Sequence, residues 1–228
     1  MDWISFWNSD HPIYVNARHR DVHYRGIADD VSGYVSPGAA VLDYGCGEAV
    51  HADRVAAKAG QLILCEAAPN VRAHLAARFS SLSNIAVKSP DEVAALPPGA
   101  LDLIVMHSVA QYLSREETDA LFAQFRRLLK PDGLFILGDV IPPQISPLAD
   151  VAALLRFAAA NGFLIAAFIG LVRTTFSDYP KLRAKLGLTL YEESAMTKKL
   201  EAVGFSAERA QKNIGHSQAR MTFLARPR

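Results

Sequence analysis

Short apolar runs recur through the middle of the chain, at Ala40–Tyr44, Gln61–Glu66, Asn84–Lys88, Asp102–His107 and Leu134–Val140, and the segments between them space their apolar residues at helical period. That alternation predicts parallel strands joined by crossover helices, because a parallel neighbour is reached only through a long return connection. Upstream, Tyr24, Ile27, Val31 and Val35 fall three or four residues apart, so Arg20 to Val35 reads as an amphipathic helix packed on the sheet and ended by Pro37-Gly38. Between the fourth and fifth runs, Ser114 followed by Glu117 forms a capping-box pattern ahead of Leu121, Phe125, Leu128 and Leu129. A helix starts there and stops before Pro131-Asp132-Gly133. Thr189 with Glu192 repeats the pattern ahead of Met196, Leu200 and Val203, with the stop at Gly204. The closing runs Ala207–Ile214 and Gln218–Ala225 flank Gly215-His216-Ser217 and read as an antiparallel pair.

The stretch from Ile141 to Leu188 breaks this alternation. Val151–Val172 is almost wholly apolar and long enough for a bilayer, but Arg156 and Asn161-Gly162 interrupt it, which predicts two shorter packed helices in place of a transmembrane span. The basic and aromatic run Arg173–Lys185 follows. Residues 141–190 are therefore expected to form a helical insertion after the fifth strand. It serves either as a lid whose Phe157, Phe163, Phe168, Phe176 and Tyr179 wall a ligand, or as a homodimer surface carrying Phe163, Ile165, Phe168 and Leu171.

A chain of 228 residues with 50% hydrophobic content suits one globular domain, here with an N-terminal arm and helix over residues 1–36. The formal net charge of +1, with neither sign clustered, gives no reason to expect a nucleic-acid groove. Two cysteines, Cys46 and Cys65, make no disulfide framework, and no Cys/His spacing of the zinc type occurs, so no metal is expected. The start, Met1 to Trp7, has an acid at position 2 and no basic region before a long apolar run, so it does not read as a signal peptide and a cytoplasmic location is expected.

Chemistry enters at Val41-Leu42-Asp43-Tyr44-Gly45-Cys46-Gly47-Glu48-Ala49, where an apolar run ends in an acid and two glycines. Gly45 and Gly47 allow a sharp turn and a close approach to a ligand, at which the following helix would point its N-terminal N–H groups. Leu62-Ile63-Leu64-Cys65-Glu66 then ends in a carboxylate 21 residues beyond Gly45, where doubly wound folds put an acid to accept from ribose hydroxyls. With Pro97 to Leu113 looking like a fourth strand and its loop, and Leu128 to Leu137 like a helix, turn and fifth strand, the chain resembles the class I S-adenosylmethionine-dependent methyltransferases over roughly residues 38–140 and again near Ala202-Val203-Gly204-Phe205.

The resemblance implies a Rossmann-like, doubly wound, mostly parallel seven-stranded sheet with a C-terminal antiparallel hairpin. It implies S-adenosylmethionine as cofactor, S-adenosylhomocysteine as product and a small, partly hydrophobic acceptor. Asp43 resembles the residue that anchors the loop and contacts the amino-acid end of the cofactor, Gly45 and Gly47 give backbone access, and Ala49 stands where the family often has a third glycine. Glu66 would hold the ribose, and either Ser89 or Asp91 would lie beside the adenine, Asp91 reading equally as a first-turn acid of a short helix. His107 follows the fourth strand near the cofactor and the methyl group, either as a base or as part of the pocket wall. Gln111 and Tyr112 sit where members face cofactor and acceptor, and Asp139 ends the fifth strand at the same edge. In the arm, Tyr14, Arg18 and His19 are placed to close over the cofactor carboxylate or the acceptor, Arg18 through a bidentate guanidinium.

Methyl transfer from a sulfonium asks for an in-line nucleophile, positioning and desolvation, and a base only where the acceptor loses a proton. Two other functions use parts of the same pattern. A nicotinamide-dependent oxidoreductase would share Gly45, Gly47 and Glu66, though Val50 occupies its third glycine position, and a non-catalytic cofactor-binding protein would lack an acceptor pocket beside the methyl group.

Overall fold

The computed structural model describes residues 2–9, 14–175 and 187–228. Phe176, Tyr179 and most of the Arg173–Lys185 run lie outside the described residues.

The chain runs α1 (Trp3–Trp7), α2 (Ala17–Ser32), β1 (Ala40–Tyr44), α3 (Ala52–Ala56), β2 (Gln61–Cys65), α4 (Pro69–Arg78), β3 (Ile85–Lys88), α5 (Pro90–Ala94) and β4 (Leu101–His107). It continues with α6 (Arg115–Leu128), β5 (Leu129–Val140), α7 (Pro147–Asn161), α8 (Leu164–Thr175), α9 (Glu193–Ala202), β6 (Phe205–Arg209) and β7 (Met221–Pro227). The seven strands form one sheet in the order β3-β2-β1-β4-β5-β7-β6. β1 to β5 are parallel, while β7 runs antiparallel to both β5 and β6.

Side chains alternate across the strands even where the sequence is continuously apolar, because both faces are covered. Leu42, Ile63, Ile104 and Met106 pack under Phe122 and Phe125 of α6 and Met196 and Leu200 of α9. Val41, Leu62, Leu64, Leu103 and Val105 face Ala28 and Val31 of α2, Val55 of α3 and Leu75 of α4. Strand order reverses between β1 and β4, and a crevice opens at their carboxyl ends. The registers that align Asp43 with Leu64 and Val105, Tyr44 with Cys65, and His107 with Gly138 gather Asp43, Glu66, His107 and Asp139 at that one edge.

Local chemistry sets the boundaries. Asn16 caps α2 by accepting from the His19 amide at 2.8 Å, so the helix starts three residues before the expected Arg20 and ends at Ser32, leaving Val35 to pack from the loop. The Ser114–Glu117 capping box is formed. The Thr189–Glu192 box is not: the Thr189 hydroxyl donates to the Leu113 carbonyl at 2.6 Å, and α9 starts behind Glu192 without a side-chain cap. The closing strands also differ from expectation, since residues 210–220 fold into polar contacts between β6 and β7 and the strand pairing resumes only at Met221.

The insertion is two helices, broken at Gly162 in the left-handed conformation (φ 76°). Phe163 is buried beside Val22 of α2, Ala158 of α7 and Ala167 of α8. Ile165 and Phe168 are exposed. Of the residues expected at a homodimer surface, Phe163 is thus covered by its own chain, because it turns inward at the α7–α8 bend. Among the described residues no helix is long and apolar enough to cross a membrane.

Candidate active site

The loop after β1 is held by the protein itself. Gly45 and Gly47 have φ of 73° and 57°, and Ala49, a non-glycine, is also left-handed at 40°. Five consecutive amides find protein acceptors: Gly45 and Cys46 donate to the Cys65 carbonyl at 2.8 and 3.1 Å, and Ala49 to Cys46 at 3.2 Å. Gly47 donates to a Glu66 carboxylate oxygen at 3.0 Å and Glu48 to the Tyr24 hydroxyl at 3.0 Å. The second Glu66 oxygen accepts from the Ala68 amide at 2.8 Å. The expectation of loop N–H groups aimed at a ligand is corrected here: these donors are taken by Cys65, Glu66, Tyr24 and the loop's own Cys46 carbonyl, and α3 begins only at Ala52.

A cavity of about 560 Å³ lies over this loop, with Asp43, Gly45, Gly47, Glu66 and Pro90 on one side and Trp3 and Trp7 of α1, Tyr14 and Tyr24 on the other. Trp3 and Trp7 pack their rings on Tyr112 at 4.6 and 5.7 Å, which fixes α1 across the opening. Burial, reinforced by the nearby Glu66 carboxylate, pushes the Asp43 carboxyl up to about 7.

A second cavity of about 320 Å³ adjoins the first, and Trp7, Tyr14, His23, His107, Ser108 and Tyr112 border both. Ser108 and Asp139, which follow β4 and interrupt β5, are both left-handed non-glycines with φ of 58° and 63°. Such backbone persists where its surroundings over-determine it. Here the Ser108 hydroxyl donates to Asp139 Oδ2 at 2.6 Å, the Asp139 amide donates to Asn213 Oδ1 at 3.1 Å, and Arg220 donates to Asp139 Oδ2 at 2.6 Å and to Asp150 Oδ2 at 3.0 Å. Burial acts to raise the Asp139 carboxyl, but Arg220, His107 and the Ser108 hydroxyl together hold it below the usual carboxylate range.

Residues 41–133, which hold the glycine loop, the Glu66 strand and β4, match the family described as methyltransferase domain. Over that segment, which is less than half of the chain, the sequence is similar to methyltransferase domains. The whole chain is similar to solved structures of the same fold. They include the N-methyltransferase NodS from Bradyrhizobium japonicum WM9 in complex with S-adenosyl-L-homocysteine, at 16% identity over 99% of this chain and 95% of that one, with a TM-score of 0.60. Magnesium protoporphyrin IX methyltransferase from Synechocystis PCC 6803 with bound S-adenosylhomocysteine is 17% identical over 98% and 92%, also with a TM-score of 0.60. A putative methyltransferase in complex with the Haloferax volcanii Trm112 methyltransferase activator is 12% identical over 100% and 98%, with a TM-score of 0.64. No curated protein matches the chain.

The first cavity brings together Asp43, Gly45, Gly47, Glu66, Tyr14, His107 and Tyr112, all expected from sequence. Gln111 borders the second cavity only, where its buried Oε1 has no hydrogen-bond partner among the described residues. Three expected residues stand apart. Arg18 is on the outer side of α2, its Nε donating to the Asn161 carbonyl at 3.2 Å and its guanidinium 3.9 Å from Asp21. Ser89 is the N-cap of α5, in a capping box with Glu92, and Asp91 is an exposed first-turn acid, so Pro90 between them is what meets the cavity. His107 faces both cavities with its nitrogens engaged, Nε2 with the Ile214 carbonyl at 3.1 Å and Nδ1 with the Ser108 hydroxyl at 3.1 Å.

The two cavities also gather groups that the sequence did not single out: His23 and Tyr24 on α2, and His216 and Arg220 in the β6–β7 connection. His23 lies one residue before Tyr24, which the helical period had marked as packing, and nothing local distinguishes the two roles. His216 reads as a turn residue until the fold stacks it on Phe157 at 4.7 Å.

Proposed function

We propose that the protein transfers a methyl group from S-adenosylmethionine, held in the larger cavity, to a small and partly hydrophobic acceptor in the adjoining one. The observation that carries this reading is the pairing of cavities across a common wall at the carboxyl ends of β1 and β4. A protein that only stored the cofactor would not need the second space.

The residues present fit the cofactor. Each Glu66 oxygen uses one lone pair on a backbone amide, leaving acceptor sites for two ribose hydroxyls. Asp43 supplies a desolvated carboxyl for the amino-acid end, and Trp3, Trp7 and Tyr14 supply apolar cover. Bound there, S-adenosylmethionine supplies an electrophilic methyl group. A nicotinamide dinucleotide fits less well, because its pyrophosphate wants free loop amides and those from Gly45 to Ala49 are taken. Tyr112 and Gln111 border the acceptor space, and His107 contributes wall, since its ring nitrogens are directed at the Ile214 carbonyl and Ser108. The inner side of α8, through Gly170 and Leu171, closes that space with apolar surface, which suits the helical insertion as its cover.

Calorimetry with S-adenosylhomocysteine tests the reading. Glu66→Gln puts an amide N–H₂ against the Gly47 or Ala68 donor and removes the charge from the ribose bonds, each worth roughly 1.5–3 kcal/mol. Affinity should fall at least about tenfold. Equal affinity in the two proteins, or preference for a nicotinamide dinucleotide, would overturn the assignment.

A further inference from the structure

The wall between the cavities holds six side chains, and the hydrogen bonds around them leave one imidazole with both nitrogens unengaged. Trp7 carries only a donor. The Tyr14 hydroxyl pairs with that of Tyr24 at 3.1 Å, and Ser108 gives its proton to Asp139. His107 has the Ile214 carbonyl 3.1 Å from Nε2 and the Ser108 oxygen 3.1 Å from Nδ1, so protein atoms stand between both nitrogens and a nucleophile. Tyr112 is a phenol, which gives up a proton more readily than it takes one. His23 remains: among the described residues no hydrogen bond engages its ring, and it borders both spaces. Resting on the function proposed above, we infer that His23 is the catalytic proton acceptor, taking the hydrogen of a protic N–H or O–H nucleophile as the methyl group crosses the wall.

The step balances. The nucleophile's lone pair forms the new bond to the methyl carbon, and the carbon–sulfur bond breaks with its electron pair staying on sulfur as a neutral thioether. The hydrogen leaves the nucleophile as a proton to a His23 nitrogen, so one positive charge passes from sulfur to imidazole. The surroundings match that transfer. Burial first, then the charges of His107, His216 and His19, push His23 down to about 3, against the opposing pull of Asp139. The ring is therefore uncharged, with a free lone pair, while a sulfonium is beside it. The rings of Tyr14, Tyr24, His19 and His216, at 5.4 to 6.1 Å, hold it in place.

Sinefungin, in which an amine-bearing carbon replaces the methylsulfonium, is a probe that needs no known acceptor. Its amine should donate to the His23 lone pair, so the wild type should bind it about tenfold more tightly than S-adenosylhomocysteine. His23→Phe, which keeps an aromatic ring, should abolish that preference, bringing the ratio of the two affinities to about one. Nitrogen NMR of the wild-type histidine rings gives a second readout, with a His23 nitrogen shifting between the two complexes. A preference that survives His23→Phe, or an unshifted ring, overturns the inference about His23. Failure of the wild type to bind S-adenosylhomocysteine overturns the function itself.

Discussion

Asp43 is a carboxyl in an environment that resists its charge, and its effect on stability has a definite sign. Its ordinary value is 3.8, and burial with Glu66 nearby raises it to about 7 in the folded chain. Between those values the folded state keeps a proton that the unfolded state has lost, so this contribution to stability is complete below 3.8 and declines as pH rises to about 7. Asp43→Asn, which mimics the protonated form, should therefore match the wild type closely near the low end and be the more stable protein at pH 8. Denaturant midpoints at several pH values check it, and a difference independent of pH would reject the assignment. Asp43, the two glycines and Glu66 were legible because a strand, a loop and the next strand place them at fixed offsets. His23 and Arg220 were not, because their neighbours come from segments as distant as β4, β5 and α7. Arg18 misled for a related reason: its chemistry suits a carboxylate, but the helical phase of α2 turns it outward to Asn161.

At the scale of elements, the capping boxes show where local signals hold. Ser114 with Glu117 has no competing partner and forms, whereas Thr189 has the Leu113 carbonyl within reach and takes it. Tertiary contact likewise explains Gly170, which in sequence is only a weak point in an apolar helix. A Cβ there would lie 2.7 Å from Val15 Cβ, so α8 sits on the segment leading into α2 at a distance only glycine permits. Alanine in mid-helix gains about 1 kcal/mol of propensity over glycine, but overpacking costs about 1–3 kcal/mol, and the clash with a branched neighbour should win. Gly170→Ala is expected to lower the unfolding midpoint while leaving S-adenosylhomocysteine affinity unchanged, since Gly170 borders only the smaller cavity. A stabilised variant would mean that the contact yields without cost.

Across the whole molecule, the alternation of strands and helices announced the parallel sheet, and the sheet order then decided which ends meet. What sequence could not supply was the closure of that edge by the β6–β7 connection, whose residues 210–220 return to β5 and α7 through Asn213, Ser217 and Arg220. Arg220 is the centre of that closure, an arginine 20% exposed between Asp139 of β5 and Asp150 of α7. Replacing it by leucine leaves two carboxylates without their cation, and breaking a buried pair from one side costs about 3–5 kcal/mol. The pH dependence separates this from simple loss of contact. Asp139 is held below its ordinary 3.8 in the folded state, so its stabilisation is present above 3.8 and lost as pH falls through the lower folded value. Without Arg220, burial prevails and the sign reverses: Arg220→Leu should be most destabilised at pH 7 and regain ground toward pH 5, as Asp139 takes up a proton. Adding Asp139→Asn should recover part of the loss at pH 7 and flatten the profile. Denaturant titrations of the wild type and the two variants at pH 5 and pH 7 decide it, and a loss equal at both pH values would show that Arg220 acts through its packing alone.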